Sequence, residues 1–134
     1  MSPDWTASLT PLHALAVAAG AAGGALLRWV CSTALNALWP ALPPGTLLVN
    51  LIGGAGIGTA MAVFARWPDE TLRLLIVTGL LGGLTTFSSF SVESLGLLLR
   101  GDWAAAVLHT LVHVLGALAC TAVAFHLTRT WLGA

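Results

Sequence analysis

Apolar residues fill four long stretches of the chain, separated by three short breaks marked by proline or charge. A bilayer core of ~30 Å needs about 20 apolar residues per helix, so the pattern predicts membrane-spanning helices over about 12–35, 45–65, 71–99 and 103–131. The breaks are Trp39-Pro40-Ala41-Leu42-Pro43-Pro44, Arg66-Trp67-Pro68-Asp69-Glu70 and Arg100-Gly101-Asp102, where proline and charge make turns. Trp39, Trp67, Trp103 and Trp131 stand at the span ends, where amphipathic rings anchor at the membrane interface.

Inside the spans, glycine recurs at helical spacing. Gly20 and Gly24 form one small-xxx-small pair, and Gly54 and Gly58 another, as close helix packing requires. The run Gly53-Gly54-Ala55-Gly56-Ile57-Gly58 has a passing likeness to a dinucleotide fingerprint, but no soluble strand precedes it and no ribose-binding acid follows. Packing is the use it points to.

The third span carries the run around which the chain is organised. Thr78-Gly79-Leu80-Leu81-Gly82-Gly83-Leu84-Thr85-Thr86-Phe87-Ser88-Ser89-Phe90-Ser91-Val92-Glu93 sets paired glycines, paired threonines and two phenylalanines in apolar surroundings. Glycines weaken a helix and let it unwind or meet another backbone closely. Freed backbone in lipid must be buried in protein or line an ion path. Phe87 and Phe90 share a helical face, with the hydroxyls of Ser88, Ser89 and Ser91 beside them. Helix packing alone also accounts for small and hydroxylated residues, and the run by itself leaves both readings open.

Composition agrees with the membrane assignment. Of 134 residues, 57% are hydrophobic and 7% charged, against roughly a quarter charged in soluble domains. The chain reads as a single integral membrane domain. Five arginines, no lysine and zero formal charge leave no basic run for nucleic acid. Cys31 and Cys120 read as small buried hydrophobes. Met1 to Pro11 holds Asp4 and no basic residue, unlike a cleavable signal peptide, so the first span is expected to be retained.

With four spans, Arg66, Arg73 and Arg129 fall on one side of the membrane and Arg28 and Arg100 on the other. Three against two gives almost no positive-inside bias. Insertion in both orientations is the natural hypothesis, and two copies could then meet about a two-fold axis in the membrane plane.

Several polar residues sit where lipid should exclude them. Asn50 lies well inside the second span with Thr46 one turn earlier on the same face, either as an interhelical hydrogen bond or as a donor toward a bundle interior. Arg28, near the end of the first span, either snorkels or forms a positive mouth for anions. Glu93 needs a proton or a donor at its depth. His109 and His113 face the same way on the last span and could serve as donors along a polar path. No carboxylate or cysteine set is expected to converge on them, so metal ligation is not anticipated. His126 and Thr121 read as packing or interfacial residues.

Gly45-Thr46-Leu47-Leu48-Val49-Asn50 followed by the run from Gly79 to Glu93 resembles the CrcB/Fluc family of small bacterial fluoride channels, with Arg28 at the family's first-span arginine. The resemblance covers all four spans. It implies an all-α, multi-pass protein of the bacterial inner membrane with its third helix broken near Gly82–Thr86, paired as an antiparallel, dual-topology homodimer with two fluoride pores. It implies a structural sodium ion on the two-fold axis, held by main-chain carbonyls of Gly82 and Thr85. It further implies that Asn50 is the pore amide, that Phe87 and Phe90 turn ring edges to the anion, and that Ser88 and Ser89 are hydroxyl positions, Ser89 replacing a threonine. The last helix departs from the family pattern, with His109 in place of a tyrosine, His113 in place of a serine and Ala117 where a second serine often continues the polar track.

Fluoride is small and strongly hydrated, so a path for it must replace water with amide, hydroxyl and ring-edge donors. The contrasting reading is a small proton-coupled multidrug antiporter, which needs an acid in the first span; that span holds Arg28 and no Asp or Glu. A packing subunit explains the glycines but not Asn50, the threonine pair and the phenylalanines together. No nucleophile, base and orienter set suggests an enzyme.

Overall fold

The computed structural model describes residues 9–133, so the reading of Met1 to Pro11, Asp4 included, lies almost wholly outside the described residues. Helix α1 (Pro11–Leu35) starts at Thr10, whose hydroxyl accepts from the His13 N–H at 3.2 Å, and carries proline in its first turn, where no N–H is missed. A 3₁₀ turn over Asn36–Leu38 ends it. Helix α2 (Pro44–Arg66) follows, again opening on proline.

The third span is built in pieces. Asp69 caps α3 (Glu70–Arg73) by accepting the Leu72 N–H at 2.8 Å. The chain then widens into a π-helical segment, Leu74–Leu81, and tightens again as α4 (Gly82–Leu84). Thr85 and Thr86 are extended, at φ −79°, ψ 155° and φ −149°, ψ 116°, before α5 (Phe87–Leu99) begins. Gly101, at φ 78°, turns the chain out of α5. Its N–H reaches the Leu98 carbonyl at 2.9 Å and that of Asp102 reaches Leu97 at 3.0 Å, closing the helix end before Asp102 caps α6 (Trp103–Trp131).

Among the described residues, four helical stretches are thus long and apolar enough to cross a membrane: Pro11–Leu38, Pro44–Arg66, Glu70–Leu99 and Trp103–Trp131. Arg66 donates to the Leu132 carbonyl at 3.0 Å, so the second connection and the carboxyl-terminal end lie at the same face of the bundle.

The helices pair through their glycines. A Cβ at Gly20 or Gly24 of α1 would run into the backbone of the third span, at the carbonyls of Leu75 and Leu80. Gly79 and Gly83 answer from the other side, against Val17 and Ala21. Gly54 and Gly58 of α2 meet the α6 carbonyls of Ala117 and Thr121 in the same way. Because the opposing atoms are backbone, no side-chain rotation relieves an added methyl. Two tight pairs, α1 with the π segment and α2 with α6, carry most of the packing. The apolar core between them is small: Val49, Leu81 and Leu84, with Cys31, Ile57 and Ile76 around it. Much apolar surface faces outward, including Trp39, Trp67, Trp103 and Trp131, as lipid allows.

A candidate ion-handling site beside Thr86

The extended backbone at Thr85–Thr86 would leave polar groups bare in a bilayer, and Asn50 of α2 supplies what a neighbouring strand would. Its Oδ1 accepts the Thr86 N–H at 2.8 Å while its Nδ2 donates to the Thr86 carbonyl at 3.1 Å. These two bonds fix which way the amide points. The remaining hydrogen of Nδ2 faces His113 Nδ1 at 3.3 Å, so that ring nitrogen accepts and the proton of the neutral ring sits on Nε2. His113 is 5% exposed, and its Nε2 has no hydrogen-bond partner among the described residues. A buried N–H donor is left without an acceptor, which a protein tolerates where a ligand supplies one.

A second set of polar groups adjoins it. Thr46, fully buried, takes the Asn36 amide N–H on its hydroxyl oxygen at 3.1 Å and gives its own hydrogen to Glu93 Oε1 at 2.5 Å. The Thr46 N–H returns to Asn36 Oδ1 at 3.0 Å. His109, also fully buried, lies between Glu93 Oε2 at 3.3 Å and the Ser94 hydroxyl at 2.9 Å. The expectation that no carboxylate converges on His109 and His113 is therefore corrected. Residues 93 and 109 stand on the two arms of the α5–α6 hairpin, and its tight Gly101 turn brings them level. Asn36 and Ser94 escaped the sequence reading. Asn36 reaches Thr46 across a proline-containing turn, which carries no helical period, and Ser94 is one of many serines in its stretch.

Phe90 packs against both sets, which meet where the two histidine rings touch. Its ring centroid lies 5.4 Å from His109, nearly parallel, and 5.1 Å from His113, while the two histidine rings are 4.4 Å apart. Phe87 leans on Phe90 at 5.2 Å but is itself 76% exposed. Asn50, Gly82, Thr86, Phe87, Phe90 and His113 line one open groove of about 420 Å³.

Other residues singled out from the sequence take different places. The Ser88 and Ser89 hydroxyls lie at 3.1 Å from Thr86 Oγ1, the oxygen that also accepts the Ser89 N–H and caps α5. Arg28 is not brought into the Asn50–His113 set. Its Nε donates to the Gly83 carbonyl at 3.0 Å, so the guanidinium covers one backbone oxygen freed where the third span leaves helical geometry. Two more carbonyls are freed there. The Thr86 N–H that a helix would turn to Gly82 goes to Asn50, and the Ser89 N–H that would turn to Thr85 goes to Thr86 Oγ1.

Comparison with known proteins agrees over nearly the whole bundle. Residues 15–125 match the family described as CrcB-like protein, Camphor Resistance (CrcB). A fluoride-specific ion channel FluC of Erwinia tasmaniensis is 51% identical over 115 residues, covering 84% of this chain and 92% of that protein. FluC of an Escherichia coli O1:K1 strain is 53% identical over 112 residues, covering 82% and 89%. FluC of Pseudomonas paraeruginosa is 55% identical over 111 residues, covering 80% and 86%.

Proposed function

The chain belongs to the CrcB family, and from that premise we propose that it passes fluoride out of the cytoplasm down its gradient and so protects the cell. It is a fluoride channel and a multi-pass protein of a bacterial membrane, not an enzyme. The inner membrane is the place where such a leak relieves the cytoplasm.

The single observation that carries the reading is the stranded Nε2–H of His113, held in that tautomer by an amide whose own orientation is locked to the Thr86 backbone. It is a donor prepared for an anion, on a residue that lines the same groove as Asn50, Phe87 and Phe90. Ring edges are electropositive, and a small anion beside them exchanges water for several weak contacts, so it is dehydrated without being trapped. Asn50, His113, Phe87 and Phe90 are assigned to this path. Thr46, Glu93 and His109 form its polar continuation, Ser88 and Ser89 set the start of α5, and Arg28 steadies the backbone at Gly83.

In the same reading two copies pair antiparallel and give two pores, and the extended stretch at Thr85–Thr86 is the functional break of the third helix. The open groove gives such a partner a surface. A sodium ion on the dimer axis would be held by the main-chain oxygens of Gly82 and Thr85 from both copies. The fit is chemical: both carbonyls have lost their helical N–H partners, and neutral oxygens suit a hard monovalent cation. When bound, sodium would coordinate those oxygens in place of the N–H donors they have lost.

The test is purified protein in liposomes, with fluoride and chloride efflux measured under the same gradient. Rapid fluoride loss with chloride retained is the expected result. An intact fluoride gradient alongside exchange of another solute would overturn the proposal.

A further inference from the structure

Glu93, His109 and His113 each offer one ligand atom, and these atoms lie within 4.8 Å of one another. Among the described residues no other three side chains of metal-binding type converge in this way. We propose that this cluster is a site for a divalent transition-metal ion of the zinc type, and that its occupation closes the fluoride path. The second part rests on the channel reading above; the first does not.

The donor set decides the class of ion. Two imidazoles and one carboxylate suit zinc and its neighbours, whereas magnesium and calcium prefer all-oxygen shells. At zinc–nitrogen distances of ~2.0–2.1 Å, two ligand atoms on one tetrahedral ion stand roughly 3.4 Å apart. His109 Nε2 and Glu93 Oε2 are already at 3.3 Å. The third ligand needs to move inward by little more than an ångström.

The surroundings are those of a supported site. His109 Nδ1 is held by Ser94 at 2.9 Å and Glu93 Oε1 by Thr46 at 2.5 Å, leaving His109 Nε2 and Glu93 Oε2 turned toward each other. Partners of this kind orient ligands and strengthen metal binding. The independent observation is His113 Nε2, buried on a ring 5% exposed and without a partner among the described residues. The Glu93 side chain is 17% exposed, which leaves an approach for the ion.

Occupation and fluoride passage compete for the same ring. If Nε2 of His113 takes a metal, its proton moves to Nδ1, and Nδ1 then faces the Asn50 amide as donor against donor. The anion loses the Nε2–H, and the Asn50 contact is lost with it. One ion therefore removes two elements of the path together.

Cobalt serves as the optical probe. Titrated into the purified full-length protein in detergent, Co²⁺ should give the visible absorption of a low-coordinate nitrogen–oxygen site at one ion per chain, and Zn²⁺ should displace it. His109→Gln and Glu93→Gln should each weaken binding by at least about tenfold. The double variant His13→Gln with His126→Gln, which removes the chain's other histidines, should bind one ion as before. In liposomes, Zn²⁺ should slow fluoride efflux through the unaltered protein, and the ratio of rates with and without Zn²⁺ should approach one for His109→Gln. Absence of the cobalt spectrum, or a spectrum that survives both His109→Gln and Glu93→Gln, would overturn the metal site. Cobalt binding without any zinc effect on a working channel would overturn the closure. A metal-binding protein that passes no fluoride would leave the site standing and remove the channel reading instead.

Discussion

Replacing Asn50 by aspartate changes one atom of the side chain and reverses the hydrogen-bond polarity of the site. One carboxylate oxygen still accepts the Thr86 N–H, but the other now faces the Thr86 carbonyl and His113 Nδ1, both of which Nδ2 served at 3.1 and 3.3 Å. The imidazole responds by placing its proton on Nδ1, and Nε2 turns from donor to acceptor. An anion loses one hydrogen bond of the charged kind, worth about 1.5–3 kcal/mol. It also meets a new negative charge. Adding the ring width and one hydrogen-bond length to the 3.3 Å contact puts the anion roughly 8 Å from that charge, and at an effective dielectric of ~20 the repulsion is about 2 kcal/mol. The two effects sum to about 4 kcal/mol, or a loss of roughly a thousandfold in throughput at tenfold per 1.36 kcal/mol. Fluoride efflux from liposomes measures the loss, and the nitrogen chemical shifts of His113 report the tautomer independently. Efflux within a few-fold of the unaltered protein, or a ring still protonated on Nε2, would refute this chain of reasoning.

Phe87→Ile should lower fluoride efflux with little change in thermal stability, because that ring is 76% exposed, whereas Phe90→Ile should lower both, since it removes the ring against His109 and His113; unchanged efflux in either would take that ring out of the path. Thr46→Val keeps shape but strands the Asn36 amide and one oxygen of Glu93, so the melting transition in detergent should fall by an amount equivalent to about 1–3 kcal/mol. Gly24→Ala drives a methyl into the Leu80 carbonyl and should cost about 1–3 kcal/mol by the same assay. Exchanging sodium for a large organic cation should weaken association of the two copies, read as a shift to smaller particles on size exclusion; a dimer indifferent to the cation would remove the axial sodium.

The four spans were legible because lipid imposes length and hydropathy together, and the turns because proline, glycine and charge cluster at Trp39–Pro44, Arg66–Glu70 and Arg100–Asp102. The glycine pairs were legible too, since Gly20 with Gly24 and Gly54 with Gly58 mark faces that the structure presses against backbone. The π segment was not. Leu74–Leu81 is apolar almost throughout, and a run without polar contrast cannot reveal whether its turns hold 3.6 residues or more. Asn50, Thr46, Glu93, His109 and His113 announced themselves as polar residues in lipid. What their spacing could not tell was which helices stand side by side. The meeting of Glu93 with His109, and the role of Asn36 behind Thr46, depend on that neighbourhood and on a hairpin turn.

The glycine contacts bear on how the protein can move. Alternating access requires one bundle to rock or slide against another, yet Gly20, Gly24, Gly79 and Gly83 mesh like teeth, and Gly54 and Gly58 do the same against the last helix. A slip of a single residue, about 1.5 Å along the axis, would push neighbouring methyls and larger groups into the facing carbonyls. A scaffold jointed in this way suits an ion that travels while the protein stays still. Its rate is then set by the hand-over from one donor to the next, with no domain swing to wait for.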